Sequence, residues 1–309
     1  VVPYYERFLR LFPTARALAS APLPRVLAAW SGLGYYRRAR MLREAARRIV
    51  SEHGGRFPRD PDSIRALPGV GPYTTGALLS IAFGRPFPVL DGNVIRVLSR
   101  LLALRGDPRK NRGTLEAAAA ALVDPRAPGD FNQALMELGA LVCTPRRPDC
   151  PRCPLRSLCR ARALGLEAKI PPARPERTRR VEWASAVLRR NGRVLIVRRP
   201  EGGLLAGMWE LPTVEAGGAS ARPSLSRRLR GLIGASARLG REIGRIRHGI
   251  EDRAITIRLF DARVSRGSPR TSAARWWVPG SSVVLPLAAA ARKSLDLACS
   301  LDGPRGPVT

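Results

Sequence analysis

Four of the five cysteines fall between residues 143 and 159, spaced Cys143-x6-Cys150-x2-Cys153-x5-Cys159. Thiols packed this closely, with no histidine nearby, favour one shared metal centre over disulfides in a chain expected to be unsecreted. Zinc and a [4Fe–4S] cluster both accept four cysteines, and the single C-x2-C knuckle leans toward iron–sulfur, because zinc ribbons use two. Such a centre would pin the loop that carries Arg146 and Arg147. Two arginines at fixed geometry suit a phosphate contact, although a merely solvated basic loop reads the same way. Cys299 stands apart and reads as a buried or free thiol.

The chain has 309 residues, enough for one large or two ordinary domains, and a 45% hydrophobic, 25% charged composition that is globular rather than disordered. Lys plus Arg number 54 against 24 Asp plus Glu, a formal charge of +30. A surface this basic attracts a polyanion, with nucleic acid first among the candidates. The excess is spread over both halves and is nearly all arginine, so charge alone names no target. No run reaches the roughly 18 apolar residues of a membrane span. The opening Val1-Val2-Pro3-Tyr4-Tyr5-Glu6-Arg7 has no basic segment ahead of an apolar one and no initiator Met, so the chain is expected to be unsecreted, cytoplasmic and missing its true beginning.

The first half has helical periodicity. Tyr5, Phe8, Leu9 and Phe12 recur before Pro13, and Ala39, Leu42, Ala46, Ile49 and Val50 recur before Gly54-Gly55. Thr114 to Val123 is Ala-rich, and Asp130 with Gln133 resembles a capping box opening a helix through Val142. An all-α domain is expected over 1–165, followed by a Pro-rich linker at 166–180. Beyond it, residues 183–188 and 194–197 read as strands joined at Asn191-Gly192, and alternating Ile255, Ile257 and Leu259 mark another. An α+β domain is expected over 181–309.

Leu67-Pro68-Gly69-Val70-Gly71-Pro72-Tyr73 lies between a short helix near 63–66 and a longer one near 74–83. Glycines in a tight turn uncover backbone N–H groups, and the next helix start adds partial positive charge, so Gly69, Val70 and Gly71 can receive a DNA phosphate without a side chain. The pattern is a helix-hairpin-helix. Asp91, in Leu90-Asp91-Gly92-Asn93-Val94, precedes a helix marked by Val94, Val97, Leu98 and Leu101. An N-cap is the plain reading of that aspartate. A chemical role is the other.

Together these features resemble the helix-hairpin-helix DNA glycosylases with an iron–sulfur cluster, most closely the MutY-type adenine DNA glycosylases. The similarity is carried by Val2-Pro3-Tyr4-Tyr5-Glu6-Arg7-Phe8, Trp30-Ser31-Gly32-Leu33-Gly34-Tyr35-Tyr36, the hairpin, Leu90 to Val94, Phe131-Asn132-Gln133-Ala134 and the four cysteines. It implies a [4Fe–4S] cluster on Cys143, Cys150, Cys153 and Cys159. It also implies an enzyme, monomeric and nucleoid-associated, that removes adenine mispaired with 8-oxoguanine or guanine from double-stranded DNA. The resemblance makes Asp91 the carboxylate that stabilises the cation developing at C1′, with Tyr73 and Asn93 in support. Lyase members carry a lysine where Tyr73 stands, so a monofunctional glycosylase is implied. Tyr35 resembles the aromatic wedge that enters the base stack, against a plain reading as a core tyrosine. The family's general-acid glutamate lies ahead of the segment resembling Val1 to Phe8, so the chain as written is expected to bind better than it cuts.

The C-terminal part resembles the Nudix-like domain of the same family through Gly207-Met208-Trp209-Glu210-Leu211-Pro212 and Arg247-His248. A Nudix hydrolase needs G-x5-E-x7-R-E-x2-E-E to hold Mg²⁺. The corresponding stretch reads Ser226-Arg227-Arg228-Leu229-Arg230-Gly231, so diphosphate hydrolysis is not expected. The family reads the lesion with a Phe-Ser-His turn where this chain has Ile250-Glu251-Asp252, which leaves His248 as either a lesion contact or a structural residue. The expected architecture is therefore multidomain: an all-α helix-hairpin-helix domain with a cluster loop, then an α+β Nudix-like domain. Two rival functions remain, an endonuclease III-like pyrimidine glycosylase and lyase, and a non-catalytic lesion-binding protein.

Overall fold

The computed structural model of the chain describes residues 2–173, 178–264, 266–281 and 285–300. The expected linker at 166–180 thus includes residues 174–177, which lie outside the described residues, as do 301–309 of the last expected domain. Two compact units emerge, Arg48–Pro175 by itself and Val1–Arg47 together with Glu176–Thr309.

The Arg48–Pro175 unit is helical. Its elements are the end of α4 (Arg37–Glu52), α5 (Pro61–Ala66), α6 (Pro72–Ala77), α7 (Gly92–Leu101), α8 (Arg112–Leu122), α9 (Pro128–Glu137) and α10 (Arg160–Ala163). Several starts have a local cause. Asp60 caps α5 by accepting from the Asp62 and Ser63 N–H groups, and the Ser63 hydroxyl, followed by those two bonds, holds its carboxyl below the ordinary value. Asp91 caps α7. Proline at the first helical position opens α9, so the capping box read from Asp130 and Gln133 is not there. Helix α9 begins two residues before Asp130, which sits inside the first turn, and Gln133 donates to the Gly129 carbonyl. Both α6 and α9 run on into a wider π turn, Leu78–Ala82 and Leu138–Val142. Val94, Val97 and Leu98 of α7 pack with Leu115, Ala119 and Leu135 as the core of this unit.

In the other unit α1 (Val2–Leu11), α2 (Ala15–Ser20), α3 (Leu23–Ala29) and the start of α4 bury Phe12, Leu18, Val26, Leu27 and Tyr36 in a cluster closed by Met208 and Ala288. The rest is a mixed sheet of β1 (Arg179–Arg190), β2 (Arg193–Arg198), β3 (Trp209–Glu210), β4 (Thr213–Glu215), β5 (Arg238–Ile250), β6 (Arg253–Arg263) and β7 (Ala274–Trp277). Its main order is β3-β2-β1-β6-β5, with β4 on β1 and β7 on β2; β1 and β6 are parallel. The expected turn joins β1 to β2, with Asn191 at φ 48° and Gly192 at φ 68°, the pair of positive angles a two-residue hairpin needs. Trp183 and Val187 face α12 (Ala289–Ser300), whereas Ala184, Ala186 and Leu188 face α11 (Ala221–Ile233). Covering both faces explains why apolar residues stand at consecutive positions such as Ala186, Val187 and Leu188 rather than alternating with polar ones.

Gly76 of α6 leaves no room for a side chain, because a Cβ there would stand 2.2 Å from the Pro88 carbonyl oxygen. That contact fixes the strand-like segment leading to Asp91. Gly76→Ala should lower the stability of the helical unit by about 2–3 kcal/mol in urea denaturation. Gly113→Ala on α8, where a Cβ meets nothing within 4 Å, should raise it by up to about 1 kcal/mol.

Candidate active site and thiol-lined pocket

The hairpin loop between α5 and α6 turns on Gly69, whose φ of 81° only glycine adopts without strain. The Val70 N–H bonds back to the Leu67 carbonyl at 3.1 Å. Of the three residues read as phosphate contacts, Gly69 and Gly71 therefore keep uncommitted N–H groups, and Val70 does not. Tyr73, 45% exposed, stands on the first turn of α6 and donates to the Met136 sulfur at 3.9 Å. With Leu90, the neighbour of Asp91, it lines an open groove of about 710 Å³.

The Asp91 carboxylate is held at both oxygens. Oδ1 accepts from the Val94 N–H at 2.7 Å, and Oδ2 accepts from Asn93 Nδ2 at 3.2 Å. Asn93 is itself oriented by Arg96, whose Nη2 donates to Asn93 Oδ1 at 2.8 Å and to the Gly139 carbonyl at 2.7 Å. Arg96 Nε reaches the Cys143 carbonyl at 2.7 Å. A continuous chain of hydrogen bonds thus runs from the thiol loop to the carboxylate. Burial pushes the Arg96 guanidinium below its ordinary value, with the Cys143 and Asp91 charges acting the other way.

One further residue braces the approach to Asp91. Asn132, 1% exposed, accepts from the Val89 N–H at 3.2 Å and donates to the Phe87 carbonyl at 2.8 Å. It serves the segment before Asp91 as a strand partner would. Neither Asn132 nor the arginines of α7 was assigned a role by motif reading. The available signal was position: a polar side chain inside an apolar-periodic helix needs a buried partner.

Cys143, Cys150, Cys153 and Cys159 line one pocket with Arg100 and Glu167. Burial pushes the Cys150 thiol up, and the charges of Glu167, Cys143, Cys159 and Cys153 push the same way. Arg100, 2% exposed, donates to Cys143 Sγ at 3.2 Å and to the Thr144, Pro145 and Ile170 carbonyls at 2.8, 3.0 and 2.7 Å. A buried guanidinium against four thiols suits a centre whose ligands are thiolates, since the cation offsets their charge. Among the described residues no three His, Cys, Asp or Glu side chains already converge on one metal position. Arg146 and Arg147 are exposed on the loop between Cys143 and Cys150.

The remaining site residues belong to the other compact unit. Tyr35 is 70% exposed and sits at φ 47°, a left-handed conformation uncommon for a bulky side chain. The Arg38 guanidinium lies over its ring at 5.3 Å. His248 faces Ile255 across the β5–β6 ladder, and burial followed by the Lys293 charge holds its imidazole below the ordinary value. Ile250-Glu251-Asp252 forms the hairpin end, with Glu251 at φ 54°. The stretch Ser226 to Gly231 lies on α11, a helix with no carboxylate.

Residues 1–124 match the HhH-GPD superfamily base excision DNA repair protein family, and residues 184–297 match the NUDIX domain family. The adenine DNA glycosylase of Homo sapiens is 38% identical over 331 residues, covering 89% of this chain and 61% of the human protein. That of Mus musculus is 42% identical over 261 residues, covering 69% of this chain and 51% of the mouse protein. A solved thermostable thymine-DNA glycosylase is 31% identical, covers 52% of this chain and 76% of that one, and superposes with a TM-score of 0.49. The chain spans about half the length of the curated relatives it matches. Fold and sequence define a helix-hairpin-helix base excision repair protein that also carries a Nudix-like domain. Within that class the chain belongs to the MutY-type adenine DNA glycosylase family. Among its described residues no helix is long and apolar enough to cross a membrane.

Asn132→Leu keeps the branched shape and heavy-atom count of the side chain but strands the Val89 N–H and the Phe87 carbonyl. It should destabilise the helical unit by on the order of 1–3 kcal/mol for each group left unpaired, read from the midpoint of urea unfolding.

Proposed function

We propose that this protein acts on double-stranded DNA as a monofunctional adenine glycosylase in base excision repair, excising adenine opposite 8-oxoguanine or guanine. The observation that carries the reading is the Asp91 carboxylate, fixed by Val94 and Asn93 beside a groove lined by Tyr73. In the proposed reaction the C1′–N9 bond breaks, adenine departs with the bonding pair and takes up a proton, and water adds to C1′ and loses one. A fixed negative charge beside the groove stabilises the cation at C1′. Tyr73 offers a phenol where a lyase needs an amine, so no imine to the sugar forms. A groove of about 710 Å³ falls in the size range of small-ligand sites and admits an extruded base.

The assignments of the other residues are part of the same proposal. The Gly69 and Gly71 N–H groups and the exposed Arg146 and Arg147 take backbone phosphates. Tyr35 enters the base stack beside the lesion, where its exposure and rigid backbone suit a wedge. His248 faces the lesion strand. Cys143, Cys150, Cys153 and Cys159 hold one [4Fe–4S] cluster, which when bound supplies four rigid Fe–S anchors for the basic loop. The protein works as a monomer, and the functional division follows the chain, with a glycosylase domain at 1–165, a linker at 166–180 and a recognition domain at 181–309. Support for that division comes from the family matches over 1–124 and 184–297.

Two measurements test the reading. Asp91→Asn retains a cap acceptor, so folding and duplex affinity should stay within about 1 kcal/mol. Loss of the charge should slow single-turnover adenine release from an adenine:8-oxoguanine duplex by about a thousandfold or more in the full-length protein. Release within about tenfold of the parent would leave Asp91 a cap and nothing else. Anaerobically purified protein should be brown, with about four irons per chain, and stoichiometric zinc in place of iron would refute the cluster assignment.

A further inference from the structure

The loop that presents Tyr35 is built to resist movement. A non-glycine residue at positive φ costs free energy and persists only where its surroundings over-determine it. Here the surroundings are specific. Trp30 Nε1 donates to the Gly34 carbonyl at 3.1 Å, and the Gly32 N–H donates to the Tyr36 hydroxyl at 3.4 Å. Ser31 and Tyr36, 6% and 7% exposed, both donate their hydroxyls to the Leu287 carbonyl, at 2.6 and 3.2 Å. Those two bonds fill both lone pairs of one oxygen that lies some 250 residues along the chain. Arg292 of α12 closes the set by donating to Ser31 Oγ at 3.1 Å.

Leu287 is in turn no free end. The Trp209 N–H of β3 donates to the Pro286 carbonyl at 2.8 Å, and Trp209 and Leu287 form a parallel bridge. The mixed sheet therefore grips both residues that flank the turn, while Tyr35 itself projects into solvent.

We propose that Ser31 and Tyr36 are positioning residues through which the C-terminal sheet holds Tyr35 ready for a duplex. The proposal rests on the reading of Tyr35 as a stacking probe and adds what keeps it in place. A probe fixed in advance has little ordering entropy left to lose on binding. Loosening the Leu287 anchor leaves the aromatic ring intact and removes that advantage.

The test is the double variant Ser31→Ala with Tyr36→Phe, which keeps both side chains' apolar packing and deletes both bonds to Leu287, together with the Arg292 bond to Ser31 and the Gly32 N–H bond to Tyr36. Backbone amides of residues 33–36, none of which is bonded to a deleted hydroxyl, should exchange hydrogen at least about tenfold faster, with the sheet unchanged. Preference for an adenine:8-oxoguanine duplex over a fully paired duplex should fall about fivefold, and the same double variant should cause no further loss in a Tyr35→Ala background. Unchanged exchange at 33–36, or an equal additional loss in the Tyr35→Ala background, overturns the proposal. So does discrimination lost in Tyr35→Ala but kept in the double variant. Full discrimination in Tyr35→Ala overturns the reading of Tyr35 and this proposal with it.

Discussion

Two arginines one helical turn apart on α7 govern the geometry of the helical unit. The chain that leaves α9 through a π turn and enters the cysteine loop exposes carbonyls with no helical partner, as any helix end does. Arg96 and Arg100 collect those of Gly139, Cys143, Thr144 and Pro145, and Arg100 adds the more distant Ile170 carbonyl. A guanidinium suits the task because it offers five donors in a rigid plane and stays charged when buried. The same two side chains touch Asn93 at one end and the Cys143 thiol at the other. The orientation of the Asp91 carboxylate and the conformation of the thiol loop are consequently not independent. Packing reinforces the coupling, since a Cβ on Gly139 would lie 2.6 Å from Asn93 Cβ.

Local chemistry made much of this legible. The Asn191-Gly192 hairpin, the α7 cap at Asp91 and the helix stop at Gly54-Gly55 each follow from one or two residues whose backbone preferences leave few choices. Where two local signals competed, the stronger steric one won: Pro128 fixes φ for the first turn of α9, and the weaker Asp130–Gln133 pattern gives way. What sequence could not supply was long-range. Nothing near Phe12 or Tyr36 announces that Met208 and Ala288 close their core, because apolar periodicity says which face is buried and not against what. Asn132 and Arg100 were hidden for the same reason. Their partners lie dozens of residues away, and only the oddity of a polar group at a core position hinted at them.

The sheet shows how a fold can keep its frame while its chemistry changes. Helix α11 packs Leu225 and Leu229 on the sheet and turns Arg227, Arg228 and Arg230 outward, where a diphosphate hydrolase would present carboxylates to a metal. Arginines at those places repel a divalent cation. Glu210, a buried acid of this domain, is 7% exposed and is taken up by Arg199 at 2.9 Å to both oxygens. Burial still pushes its carboxyl above the ordinary value, despite the opposing pull of Arg199 and Arg228. A carboxylate so engaged is committed to Arg199 inside the domain, with both of its oxygens already bonded.

Asp91 admits two readings, a helix cap and a charge for the proposed reaction, and its geometry is compatible with both at once. Capping consumes one acceptor site on Oδ1, and the bond from Asn93 consumes one on Oδ2. An ionised carboxylate has about four such sites, so about half of its capacity stays open. The cap needs only a correctly placed oxygen, whereas a developing cation needs net charge, and both demands can be met by one group at once. Fixing the oxygens through the cap also means that no reorganisation is left to pay for when charge develops nearby. In the proposed reaction the helix start is thus the scaffold that makes the charge useful, and the bond from Asn93, itself steered by Arg96, sets which way the open lone pairs face.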